Sequence, residues 1–67
     1  MDDETNTYLV LNASGEPVWV EDGPPETDRR GKLARRLSDR NAHTRPLQVY
    51  VRDGNTWEPA FEVNYWA

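Results

Sequence analysis

The chain has 67 residues, 12 acidic and 8 basic, with a formal net charge of −4 and no cysteine. That length gives one domain, burying only about 60% of the surface of the unfolded chain, with no disulfide or thiolate metal site to brace it. His43 is the one histidine, and a single imidazole does not make a zinc site, so packing or burial against a partner must supply the stability.

No apolar run reaches the roughly 18 residues of a membrane span. The opening stretch MDDETNT is acidic where a secretory leader needs a positive region and then an apolar one. The expectation is a soluble, cytoplasmic protein. Seven of the eight basic residues are arginine, a bias expected of a GC-rich bacterial or phage genome.

Residues 1–6 are acidic and polar and read as a flexible tail before a single domain over 7–67. TYLVLN and VWVE flank ASGEP, a turn signal in which Gly15 can take positive φ. Residues 7–21 therefore predict a hairpin. Pro17 selects its register, because it has no N–H to give. A three-residue loop, Ala13-Ser14-Gly15, sets Asn12 against Glu16 and Leu11 against Pro17 at a non-hydrogen-bonded site. That register puts Leu9, Leu11 and Trp19 on one face. Tyr8, Val10, Val18 and Val20 fall on the other.

DGPPE, residues 22–26, is a rigid connector. Thr27 is the expected N-cap, with Asp28 in the first turn. The helix is expected to run to about Asn41. Its apolar stripe is narrow: Leu33, Ala34 and Leu37, joined by the Arg30 stem and Asn41. Alone it is marginal in water and needs a surface to lie on.

After the AHTRP loop, LQVYVRD alternates Leu47, Val49 and Val51 against Gln48, Tyr50 and Arg52. DGNT is a turn. WEPAFEVNYWA alternates Phe61, Val63 and Tyr65 against Glu62, Asn64 and Trp66. With Asp53 opposite Trp57, Val49 meets Phe61 and Leu47 meets Val63. Arg52 then meets Glu58 as an opposite-charge pair.

The fold class is α+β, a single small ββαββ domain whose four-stranded sheet carries one helix packed on one face. One helix cannot cover both faces. The open face is expected to hold Tyr50, Gln48, Arg52, Glu58, Glu62, Asn64 and Trp66, plus one face of the first hairpin. In element order the chain resembles the β-grasp topology of small immunoglobulin-binding domains, which implies terminal strands parallel at the centre. A meander with the helix at one end is the second arrangement. Neither carries a function with it.

The sequence holds no glycine-rich phosphate loop, no Ser-His-Asp set and no metal-ligand cluster. His43, in a loop beside Thr44 and Arg45, reads as an ordinary exposed histidine. Glu58 and Glu62, four apart on a strand, lie about 13 Å apart, too far for either usual glycosidase geometry. A non-enzymatic protein without metal or cofactor is expected.

RRGKLARRLSDR, residues 29–40, holds six of the eight basic residues. On a helical wheel Arg29, Lys32, Arg35, Arg36 and Arg40 form a broad outer stripe, interrupted by Asp28 and Asp39. Residues 26–41 carry six basic against three acidic residues, a balance of +3; the remainder carries two against nine, −7. The first expectation is a protein-binding module, an inhibitor or adaptor, docking on another protein or on a second copy. Tyr50, Trp66 and Trp19 are its expected anchors, and Arg29, Arg36 and Arg40 steer the approach. The alternative is a nucleic-acid binder contacting phosphates through Arg29, Lys32, Arg35, Arg36 and Arg40. The net negative charge, which repels a polyanion, counts against it. An acidic DNA mimic is a third reading, weakened because the acids form no regular row.

Overall fold

The structure, a computed structural model, describes residues 6–23 and 28–66. Its elements are β1 (Asn6–Leu11), β2 (Pro17–Gly23), α1 (Arg29–Arg36), β3 (Leu47–Asp53) and β4 (Thr56–Val63). All strand pairs are antiparallel within one sheet, and the helix packs on one side of it. The expected α+β class and ββαββ order are therefore present. The strand order is β2-β1-β3-β4, which is neither of the two arrangements expected. A β-grasp sheet would place β1 parallel to β4; here β1 pairs antiparallel with β3, joining the two hairpins through their first strands. β4 suits an edge because it carries Pro59 and is exposed from Thr56 to Ala60. The expected tail lies outside the described residues except Asn6, which opens β1. Residues 24–26 of the expected connector and Thr27 also lie outside them, while Asp22 and Gly23 extend β2; the N-cap position falls on Asp28, expected in the first turn, and not on Thr27.

The first turn forms as the sequence requires. The Asn12 amide donates to the Glu16 carbonyl (2.9 Å) and the Gly15 amide to the Asn12 carbonyl (2.9 Å), with Gly15 at φ 84°. Asn12 is buried, and its Oδ1 accepts from the Ser14 and Glu16 amides, 3.0 Å each. Its Nδ2 donates to the Ala42 carbonyl at 3.2 Å, tying the turn to the loop after the helix.

Beyond the turn the expected register fails. Leu11 faces Pro17, but Val10 faces Trp19, Leu9 faces Val20 and Tyr8 faces Glu21. Val18 is the extra residue of a β-bulge. Pairing resumes one residue later, at Trp19. The slip exchanges the faces of everything after it. Trp19 joins Tyr8 and Val10 on the helix side, and Val20 turns outward, 59% exposed.

The second hairpin repeats the pattern. Leu47 faces Val63 and Val49 faces Phe61, as the alternation predicts. Nearer the turn a second bulge, with Ala60 as its extra residue, puts Tyr50 against Pro59, Val51 against Glu58 and Arg52 against Trp57. The expected Asp53–Trp57 and Arg52–Glu58 pairs are absent. Asp53 instead faces Thr56 across Gly54 and Asn55, with Gly54 at φ 64°. A two-residue turn with glycine first is one residue shorter than the loop expected, and the bulge absorbs the difference.

The core comprises Tyr8, Val10, Leu33, Ala34, Leu37, Leu47, Val49 and Val63, with Val18, Trp19, Val51 and Phe61 packed against it. The helix supplies the three apolar residues its stripe promised. It does not run to Asn41. It ends at Arg36, with Leu37 at φ −107°, ψ 59°. Asp39 Oδ1 accepts from the Asn41 amide at 2.9 Å, the side-chain turn by which aspartate competes with a helix. Arg45 then takes the last carbonyls: Nη1 donates to Leu37 O (2.8 Å) and His43 O (2.6 Å), Nη2 to Ala34 O (3.2 Å). A guanidinium placed there satisfies acceptors the helix leaves open and complements its negative end.

These faces predict a contrast in stability. Val10→Thr is expected to cost about 1–3 kcal/mol, because it buries a hydroxyl in an apolar core. Val20→Thr is expected to change stability by no more than about 0.5 kcal/mol. Urea unfolding of the two variants measures both.

Candidate functional site

Glu21 is the junction between helix and sheet. The first bulge turns it to the helix side, where its side chain is 11% exposed. It accepts from Trp19 Nε1 at 2.9 Å, from Arg29 Nη1, and from Arg36 Nη1 at 3.1 Å. Burial works against its charge. The hydrogen bonds from Trp19 and Arg29 and the two guanidinium charges outweigh that, and hold its pKa below the ordinary glutamate value.

Arg29 is the largest departure from the sequence expectation. It is buried, 6% exposed, with its guanidinium 4.7 Å from the centre of the Tyr8 ring. A Cβ on Gly23 would lie 2.6 Å from Arg29 Nη2, so the glycine makes room for it. Arg29 locks the helix to β2, and its burial leaves little of it on the surface. The expectation read it outward because no periodicity in the helix reports an anion on a strand eight residues earlier.

Most arginines are used in this way. Arg30 stands over Phe61 (5.2 Å), Arg36 over Trp19 (5.6 Å) and Arg52 over Trp57 (5.8 Å). Arg40 (4.3 Å) and Arg45 (3.8 Å) both stand against Trp66. Six of the seven arginines thus lie on aromatic rings, where roughly one such contact per 70–80 residues is usual. Arg35 is the exception and pairs with Asp28 at 3.6 Å. Arg45 also donates from Nε to Tyr65 O at 3.0 Å. Burial, and then the charge of Arg40, lower its pKa, yet a guanidinium stays charged in a protein.

Trp66 does not join the open sheet face. β4 ends at Val63, and Trp66 lies against Arg40 and Arg45 at the end of the helix. Trp19 is half-buried on the core side and is likewise no open-face anchor. Arg30 and Asn41, expected beside the apolar stripe, are exposed. Glu58 pairs with Val51, which packs on the core, and so leaves the open face. Tyr50, Gln48, Arg52 and Glu62 do lie on the side away from the helix, Gln48 donating to Glu62 Oε1 at 3.1 Å. His43 is half-buried rather than exposed, with Nδ1 buried and no hydrogen-bond partner for it among the described residues.

Two surfaces remain. The first is the uncovered sheet face. Val20 faces Leu9, Leu9 faces Tyr50 and Tyr50 faces Pro59. One apolar row therefore crosses all four strands. Leu11 and Trp57 lie beside it, and Arg52, Asp22 and Glu62 mark its rim. The second is a cationic ledge on the helix, a shallow concavity lined by Lys32, Arg35 and Arg36. The Arg35 and Arg36 side chains are 60% and 53% exposed. Arg36 touches both Trp19 and Glu21, so the ledge stands over β2, an outer strand. Of the five cations expected on the outer stripe, Arg29 is internal and Arg40 lies on Trp66, while the ledge keeps the other three together.

Among the described residues no three His, Cys, Asp or Glu are grouped to hold a metal ion, and no helix is long and apolar enough to cross a membrane. The chain matches no protein-family model, no curated protein and no solved structure.

Removing Glu21 takes a carboxylate away from the buried Arg29. Glu21→Leu is expected to cost about 3 kcal/mol or more, and Glu21→Leu with Arg29→Met clearly less, because the buried guanidinium then goes with the carboxylate that faces it. The pH dependence has a fixed sign. The Glu21 pKa is lowered in the fold, so its contribution is full above the ordinary glutamate range and is lost as pH falls through the folded value. Urea titrations at neutral pH and at about pH 3 are expected to show a smaller acid loss for Glu21→Gln than for the wild type.

Proposed function

We propose that the protein is a non-enzymatic protein-binding module, an inhibitor or adaptor by class, whose partner meets the uncovered sheet face and the ledge above β2. The observation that carries the reading is the apolar row Val20–Leu9–Tyr50–Pro59, which no described element covers. Exposed apolar surface of this continuity, rimmed by charge, is characteristic of a contact between proteins. Tyr50 is the central anchor, with Leu9 and Val20 beside it. Arg36, Lys32 and Arg35 favour a partner that is acidic at the β2 side.

The nucleic-acid reading keeps three of its five cations. Arg29 is internal, and Arg36 also serves Glu21. A contact with so few phosphates gives weak, salt-sensitive affinity. The open face offers Tyr50 and Trp57 for stacking, but Glu62 and Asp22 on the same face repel a phosphate chain.

Wild type and Tyr50→Glu, each immobilised and exposed to lysate from the source cell, test the reading. Tyr50 faces away from the core, so the variant is expected to stay folded, which its unfolding curve checks. A discrete protein retained by wild type and lost with Tyr50→Glu is the expected result. Equal retention by both overturns it. So does micromolar binding to an oligonucleotide with a steep salt slope, lost with Lys32→Glu and Arg35→Glu.

A further inference from the structure

We infer that the outer edge of β2 accepts an extended acidic segment of the partner protein, added to the sheet as a fifth strand; this rests on the protein-binding reading. A sheet edge presents unpaired N–H and C=O groups, and proteins that do not use an edge blunt it with proline, bulges or charge. β4 is blunted by Pro59 and by the bulge at Ala60. β2 has neither proline nor bulge from Trp19 to Gly23, and its two charges there are engaged within the chain, Glu21 by Arg29 and Arg36 and Asp22 by the Thr7 hydroxyl. Its proline, Pro17, is its first residue and its bulge falls at Val18. From Trp19 to Gly23 it pairs residue for residue with β1. Among the described residues nothing pairs with its other side.

The two sides of that edge differ, and the difference defines the occupant. On the helix side stand Trp19 and Glu21 with Arg36 above them, beside Lys32 and Arg35. On the open side stands Val20, 59% exposed, the end of the apolar row. Alternate residues of an added strand would meet these two sides in turn. The segment that fits alternates acidic with branched apolar residues. Its carboxylates would lie beneath the ledge, and its apolar side chains would extend the row past Val20. Strand addition takes affinity from main-chain hydrogen bonds and specificity from such alternate positions.

A second copy of β2 fits less well. Paired antiparallel about Val20, it would offer Glu21, already held by Arg29 and Arg36, to the helix side. It would also bring two sets of Lys32, Arg35 and Arg36 face to face.

The test is a fluorescence-anisotropy titration with three end-capped peptides: alternating glutamate and valine, the same peptide N-methylated along its backbone, and alternating lysine and valine. The first is expected to bind and the other two are not. Lys32→Glu with Arg35→Glu, both exposed, is expected to weaken it by about tenfold or more, and added salt to weaken it further. Hydrogen exchange of β2 amides is expected to slow with peptide bound. Equal binding of the N-methylated or the lysine peptide overturns strand addition. So does tighter binding of an oligonucleotide at the same ledge, or dimerisation in sedimentation that Val20→Lys abolishes. No binding of the first peptide, with a Tyr50-dependent partner still captured, overturns this inference and leaves the protein-binding reading standing.

Discussion

An eight-residue helix has too little surface to cover a four-stranded sheet on both sides, and the rest of the molecule follows from that shortage. α1 and its C-cap residue offer Leu33, Ala34 and Leu37 to the sheet. The apolar contribution of so short a stripe is small, and charged contacts extend it. Glu21 holds the start of the helix through Arg29 and its end through Arg36. Arg45 closes the last carbonyls and, with Arg40, covers Trp66. In a chain without cysteine, arginines spread over aromatic rings supply packing area that a larger core would take from leucine. Among the described residues the other face of the sheet receives no such cover, and its apolar row stays open.

The same economy decides the electrostatics. The sequence concentrates cations between residues 29 and 45, and the fold turns some of them inward and some outward. Arg29 enters the core edge against Glu21 and Tyr8, while Lys32, Arg35 and Arg36 stay together over the outermost strand. The positive surface is therefore narrower than the stripe drawn on a wheel, and it lies beside exposed apolar side chains. Charge at the rim of an apolar contact sets which partner approaches and how fast, while the apolar centre holds it.

The element order, the first turn, the place of the second and the residues that face the sheet from the helix were legible in the sequence. Turn chemistry and alternation are local, and Gly15, Pro17 and the Leu47–Val63 and Val49–Phe61 pairs report them directly. The two bulges were not legible. A single unpaired residue leaves no mark in a pattern of period two, yet it reverses the face of everything beyond it. Val18 moved Trp19 and Glu21 to the helix and Val20 to the open side; Ala60 removed the Arg52–Glu58 pair. The burial of Arg29 was hidden for the same reason, because its anion reaches the helix only through the first bulge. The strand order depended on which strand tolerates an edge, and Pro59 in β4 carried that information.

Methyl relaxation by a soluble paramagnetic probe tests the one-sided cover most directly. If α1 shields one face alone, the methyls of Leu9, Leu11 and Val20 relax strongly, while those of Val10, Leu33 and Val63 remain protected. Leu9 and Val20 as protected as Val10 in a monomeric sample would contradict the face assignment and remove the surface on which the functional reading stands.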